Sequence, residues 1–170
     1  MYVYITSGTY EFLKEIKSKH QKENLLLMEN FEKAVLLQET EGKKTVFASP
    51  RKFEVVDQRG ALSEVGFVVL DNIPVREEER PGFEHRYKKR AETIENESGF
   101  LALRILRPLN SDTYVILTVW QNESSSSSWK NHFSSSADKS TNTWQDLNKN
   151  IFSGPPYVNQ YKLGLRDRAD

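Results

Sequence analysis

GFVVLDN at residues 66–72, ESGFLALRILRP at 97–108 and TYVILTVW at 113–120 decide the fold. Each is dense in aliphatic, β-branched and aromatic residues and is bounded by glycine, proline or polar residues, as strands are. Between the first and second lies a charged stretch in which Phe83, Tyr87 and Ala91 recur at i, i+4 and i+8. That spacing predicts a helix over residues 77–92 with these three on its inner face. Acidic residues at its start and Lys88, Lys89 and Arg90 near its end complement the helix dipole. Pro81 is tolerated only in a first turn, so the regular helix is expected to begin there. Pro74 closes the first strand because it has no N–H to donate. Trp129 follows Trp120 by nine residues, and residues 157–163 read as a last strand.

Outward from this block, the N-terminal part repeats the same order. Residues 2–6 alternate as a strand, and Thr9 can cap a helix whose inner face is Phe12, Leu13 and Ile16, ending near His20. Residues 24–29 and 33–40 form a hairpin around Asn30-Phe31-Glu32. Residues 45–48 are expected to be a further strand, and residues 52–57 a strand or a short helical turn, with Pro50 as the break between them. Strand, helix, strand, strand therefore occurs twice, although the residues do not visibly repeat. The expected fold is α+β, a ferredoxin-like half-barrel of the dimeric α/β-barrel type over residues 66–163. An N-terminal βαββ subdomain over residues 1–62 would mimic a second protomer, and residues 164–170 form a polar tail. A chain that carries its own second half can bury its sheet internally, which favours a monomer over a homodimer.

Composition narrows the function classes. With 24 basic and 24 acidic residues among 170, the chain has no net field to attract a polyanion, and a nucleic-acid partner is disfavoured. It has no cysteine, which excludes disulfides, thiolate metal sites and cysteine nucleophiles. No apolar run approaches the roughly 20 residues that span a bilayer, and no secretory signal opens the chain. Neither stable membrane insertion nor export is expected, and the expected location is cytoplasmic.

Serines at 124–128 and 134–136 fall where the second helix of the half-barrel belongs. Each costs about 0.5 kcal/mol relative to alanine in a helix. The run leaves Trp129 and Phe133 as the main apolar cover of the sheet. It is compatible with a Ser-rich linker and with serines standing in place of other side chains.

Few residues are candidates for chemistry. Asn72 puts a carboxamide, both donor and acceptor, at the end of a strand. It is also the residue expected in a turn before Ile73-Pro74. Trp129 can wall a pocket for a flat ligand or simply pack in the core. Phe83, Tyr87 and Arg90 lie on or beside one helix face. LTVW at 117–120 with Trp129, ESGF at 97–100 and Asn72 together resemble the Isd-type haem-degrading monooxygenases of the antibiotic-biosynthesis monooxygenase superfamily. YITSGTYEFLKEI, LLLMEN and FEVVDQRG resemble the longer, HmoB-type enzymes of Gram-positive bacteria. A membrane-associated regulator called TRAP shares the two-part layout.

The resemblance implies oxygen-dependent opening of the haem ring and release of iron. Haem would be both substrate and cofactor, with electrons from an external reductase and no flavin or nicotinamide bound directly. It assigns Asn72 to the iron-bound oxygen species, Trp129 to distortion of the porphyrin, and Phe83, Tyr87 and Arg90 to the haem-binding face. Arg90 would pair with a propionate. The family's haem-iron histidine is expected ten residues after Trp129, where this chain has Lys139, preceded by Ala137 and Asp138. His132 is the substitute metal-ligand candidate, with His20 and His85 weaker. Two other readings are a non-enzymatic regulator with the same fold and a cofactor-free monooxygenase acting on a polycyclic phenol.

Overall fold

The computed structural model describes residues 1–136 and 151–164. In chain order the elements are β1 (Tyr2–Gly8), α1 (Tyr10–Lys19), β2 (Asn24–Glu29), β3 (Ala34–Thr40), β4 (Arg51–Arg59) and β5 (Gly66–Pro74). After a 3-10 turn at Glu77–Glu79 come α2 (Arg80–Ile94), β6 (Phe100–Pro108), β7 (Thr113–Trp120), α3 (Glu123–Ser136) and β8 (Tyr157–Leu163).

The strands close an antiparallel barrel in the order β1-β3-β2-β8-β5-β7-β6-β4. The order is the same set of four written twice: β2-β3-β1-β4 and β6-β7-β5-β8. The fourth strand of each set pairs with the opposite set, β4 with β6 and β8 with β2. A single chain thus forms the pseudo-two-fold barrel expected of an internal dimer, and no sheet edge is left to template association.

Strand alternation divides the apolar side chains between the barrel interior and two outer faces. Val3, Leu26, Leu37, Phe53, Val68, Leu70, Val115 and Leu117, drawn from both halves, fill the barrel interior. Phe67, Ile73, Leu103, Ile105, Tyr114, Ile116 and Trp120 face outward and are covered by Phe83, Ala91 and Ile94 of α2. On the opposite outer face Tyr4, Leu25 and Leu36 are covered by Leu13 of α1 and by Phe47. Fully burying one such side chain is worth about 1.5–3 kcal/mol.

Local chemistry fixes the helices. The Thr9 hydroxyl accepts from the Phe12 N–H at 3.3 Å, capping α1 as expected. Pro81 falls at the start of α2. The serine-rich stretch is helical, and Asn122 Oδ1 accepts from the Ser125 N–H at 2.9 Å at its start. Two expectations are corrected. Phe12 is 59% exposed, because the α1 stripe that meets the sheet runs through Leu13. Residues 45–48 are not a strand: the Thr45 hydroxyl donates to Gln38 Oε1 at 2.8 Å, and the segment lies across the outer face so that Phe47 covers it.

An ion-paired cluster pins α2 to the sheet. Arg107 of β6 donates to both carboxylate oxygens of Glu84 at 2.8 and 2.6 Å and to Glu54 of β4 at 3.0 Å. The Tyr114 hydroxyl also donates to Glu84. Burial pushes the Glu84 carboxyl up, but the hydrogen bonds from Arg107 and Tyr114 outweigh it and hold the group below its ordinary value of 4.5. Folded, Glu84 therefore takes up its proton less readily than unfolded. Its contribution is complete above that ordinary value and drains away as pH falls through the lower folded one. The urea midpoint should fall more between about pH 6 and about pH 3 in the native chain than in Glu84→Gln. Equal slopes in the two proteins would remove Glu84 from the acid response.

Candidate functional site

The outward face of β5 and β7, covered by side chains of α2 and α3, is the floor of the candidate ring-binding slot. Cα pairing sets Asp71 opposite Ile116, Val69 opposite Thr118, Phe67 opposite Trp120 and Ile73 opposite Tyr114. At one end Trp129 of α3 lies against Trp120, ring centroids 5.7 Å apart, with Phe100 edge-on to Trp120 at 5.7 Å. At the other end Phe83 contacts Tyr87 and Tyr114, each at 4.7 Å. The Arg90 guanidinium lies 5.2 Å from the centre of the Tyr87 ring. Floor and walls form one apolar cluster, with Ile116, Thr118 and Trp120 buried and Tyr87 and Trp129 partly exposed.

The slot is polar at one level. Burial pushes the Tyr87 hydroxyl well above its ordinary value of 10.0; Arg90 opposes this, and the charge of Asp71 adds to it. Tyr87 thus stays neutral, with the charges of both Arg90 and Asp71 acting on it.

Phe83, Tyr87, Arg90 and Trp129 are all at the slot. Asn72 is not. Val68 and Leu70 belong to the barrel interior whereas Phe67 and Ile73 belong to the slot face, so Asn72 points inward and Asp71 outward. Asn72 is fully buried. Its Nδ2 donates to Leu70 O, Tyr157 O and Asn159 Oδ1 at 3.0–3.3 Å, and its Oδ1 is buried with no hydrogen-bond partner among the described residues. His85 is exposed and His20 lies at the end of α1, so neither faces the slot. The His132 side chain, Lys139 and the neighbouring Ala137 and Asp138 fall outside the described residues. Among the described residues no group of His, Cys, Asp or Glu is arranged to hold a metal ion.

Asp71 escaped the sequence reading, and Thr118 and Trp120 entered it only within the LTVW run, with no place at the site. LDN offers two adjacent polar residues, of which the carboxamide is the more conspicuous.

Comparison with known proteins places this geometry. The family model described as "Antibiotic biosynthesis monooxygenase" matches residues 66–143. Signal transduction protein TRAP of Staphylococcus epidermidis is 32% identical over 116 residues, 68% of this chain and 69% of that protein. The chain belongs to the antibiotic biosynthesis monooxygenase family. A further relative, a heme-degrading monooxygenase of Listeria monocytogenes, is 27% identical over 128 residues, 75% of this chain and 76% of that one. A solved structure described as a major regulator of staphylococcal pathogenesis superposes with a TM-score of 0.83 at 25% identity, over 96% of this chain and 99% of its own. The antibiotic biosynthesis monooxygenase fold thus accommodates relatives with quite different names. Among the described residues no helix is long and apolar enough to cross a membrane.

Proposed function

We propose that this protein is a haem-degrading monooxygenase whose ring-binding site is the slot between α2, α3 and the outer face of β5 and β7. The observation that carries the reading is the pair of aromatic walls, Trp120 with Trp129 and Phe83 with Tyr87, over an apolar floor. Flat aromatic surfaces at both ends suit a planar macrocycle, which gains stacking and dispersion from each. Arg90, beside Tyr87 at the slot, suits a carboxylate substituent through paired N–H donors. Because Tyr87 and Trp129 lie over the floor, a ring enters by parting them from it.

The fit differs between the ring and the iron. The ring is matched by Phe83, Tyr87, Trp120 and Trp129. The iron is not matched by any described imidazole, and the carboxamide of Asn72 faces the wrong side of the sheet. Bound haem supplies the iron at which O2 is activated with electrons from an external reductase. This chain's part is to exclude water, hold the ring between aromatic walls and present Asp71 and the Tyr87 hydroxyl to whatever lies over the floor. The division into residues 1–62 and 66–163, a monomeric state and a cytoplasmic site of action belong to the same proposal.

A haem titration tests it. A Soret shift saturating at about one haem per chain is expected at micromolar protein, followed by loss of that band on adding ascorbate in air. Trp129→Ala should weaken haem binding by about tenfold or more, the worth of one large aromatic contact. No Soret shift in the native chain would end this reading. A second reading, a non-enzymatic regulator, is favoured by the outward position of Asp71 in place of a carboxamide. It predicts a stable Soret band, or none, under ascorbate.

A further inference from the structure

We propose that the end of the barrel remote from the Glu39–Arg104 pair is a binding site for a small oxyanion, a carboxylate or a phosphate, gripped by Arg51. This site is separate from the slot and does not depend on it. A cavity of about 220 Å³ opens there between the end of β1 and the starts of β3, β4 and β8, and its lining includes Ser7, Lys33, Ser49, Arg51, Asn159 and Tyr161. The lining holds two cations, several hydroxyls and one carboxamide, and no carboxylate.

Arg51 is the centre of the argument. It is half-buried, it stacks at 5.2 Å on the Phe53 ring, and among the described residues its guanidinium makes no hydrogen bond or ion pair. By contrast, Arg59, Arg104 and Arg107 each have a carboxylate partner. Burial lowers the Arg51 pKa, and the phenols of Tyr157 and Tyr161 oppose that shift. The acidic residue acting on this neighbourhood is exposed Glu32, through Tyr161. A guanidinium held partly out of water with no counter-charge is costly unless an anion joins it, and its planar fork suits two oxygens at once.

A second observation points the same way. Asn72 donates to Asn159 Oδ1 at 3.0 Å, which fixes the Asn159 carboxamide with its oxygen engaged and its Nδ2 left as the donor end. Asn159 lines the cavity. Buried Asn72 therefore acts as a positioning residue that turns a donor toward the same space as Arg51. The Tyr161 hydroxyl, held protonated by burial, adds another.

The test is an NMR titration of the full chain with sodium phosphate and, separately, sodium acetate, ionic strength being held constant with sodium chloride. Saturable shifts centred on Arg51 and Asn159 are expected with at least one anion. Saturation by phosphate alone or acetate alone supports the site and names its class. Arg51→Gln should weaken binding about tenfold. Lys33→Gln, an exposed substitution with little folding risk, should weaken it less. Absence of saturable shifts at these residues with both anions overturns the proposal, as does undiminished affinity in Arg51→Gln. Should that variant not fold, native-chain shifts away from Arg51 combined with unchanged affinity in Lys33→Gln overturn it equally. Haem binding in the slot should be unaffected by either anion, so failure here leaves the slot reading standing.

Discussion

Glu39→Ala is expected to lower the unfolding free energy by about 3–5 kcal/mol, a large share of the total for a domain of this size. Glu39 and Arg104 meet at 2.6 Å inside the barrel, their side chains only 9% and 5% exposed. Arg104 also donates to the carbonyls of Arg59, Gly60 and Leu103 at 2.8–3.1 Å. The carbonyl of Gly60 is placed by a left-handed backbone, φ 68°, where a Cβ would meet Leu101 O at 2.1 Å. Removing the carboxylate leaves a buried guanidinium neutralised by dipoles alone. Removing both charges with Glu39→Leu and Arg104→Met should recover most of the loss, because apolar residues of similar volume carry no desolvation penalty. Urea unfolding of the two single variants and the double variant gives the coupling directly. A single-variant loss below about 1 kcal/mol would mean that water reaches the pair and screens it.

Much of this fold is legible because its local signals agree. The Thr9 cap, Pro81 at the start of α2 and the β-rich runs at 67–73, 100–106 and 113–120 are each read from neighbouring residues alone. The repeated strand–helix–strand–strand order foretells a barrel closed within one chain. What is not legible is which face of β5 looks where. Both faces of that strand are buried, so Phe67, Val68, Val69 and Leu70 run on without a polar alternation. With no period of two to read, sequence cannot say whether Asp71 or Asn72 meets the slot, and only the pairing register decides it. Arg104 was similarly hidden, a lone charge in an apolar strand whose partner, Glu39, lies 65 positions away in sequence. Arg51 and Asn159 share no motif at all; closure of the barrel alone brings them to one cavity.

That register carries the sharpest functional expectation. On the proposed reading Asp71→Asn puts into the slot a carboxamide that can donate where the carboxylate can only accept. Ascorbate-driven loss of the Soret band should then quicken by about tenfold or more, the scale of one well-placed donor at developing negative charge. Asn72→Ala should do something quite different. It removes the donor to Leu70, Tyr157 and Asn159, which lowers stability by about 1–3 kcal/mol and loosens the oxyanion site through Asn159, while haem affinity stays put. The two substitutions are one residue apart and act on opposite sides of one strand. If instead Asn72→Ala abolished band loss at unchanged stability and Asp71→Asn left it untouched, the chemistry would have to reach through the sheet from the barrel interior. The slot would then be a structural core and nothing more.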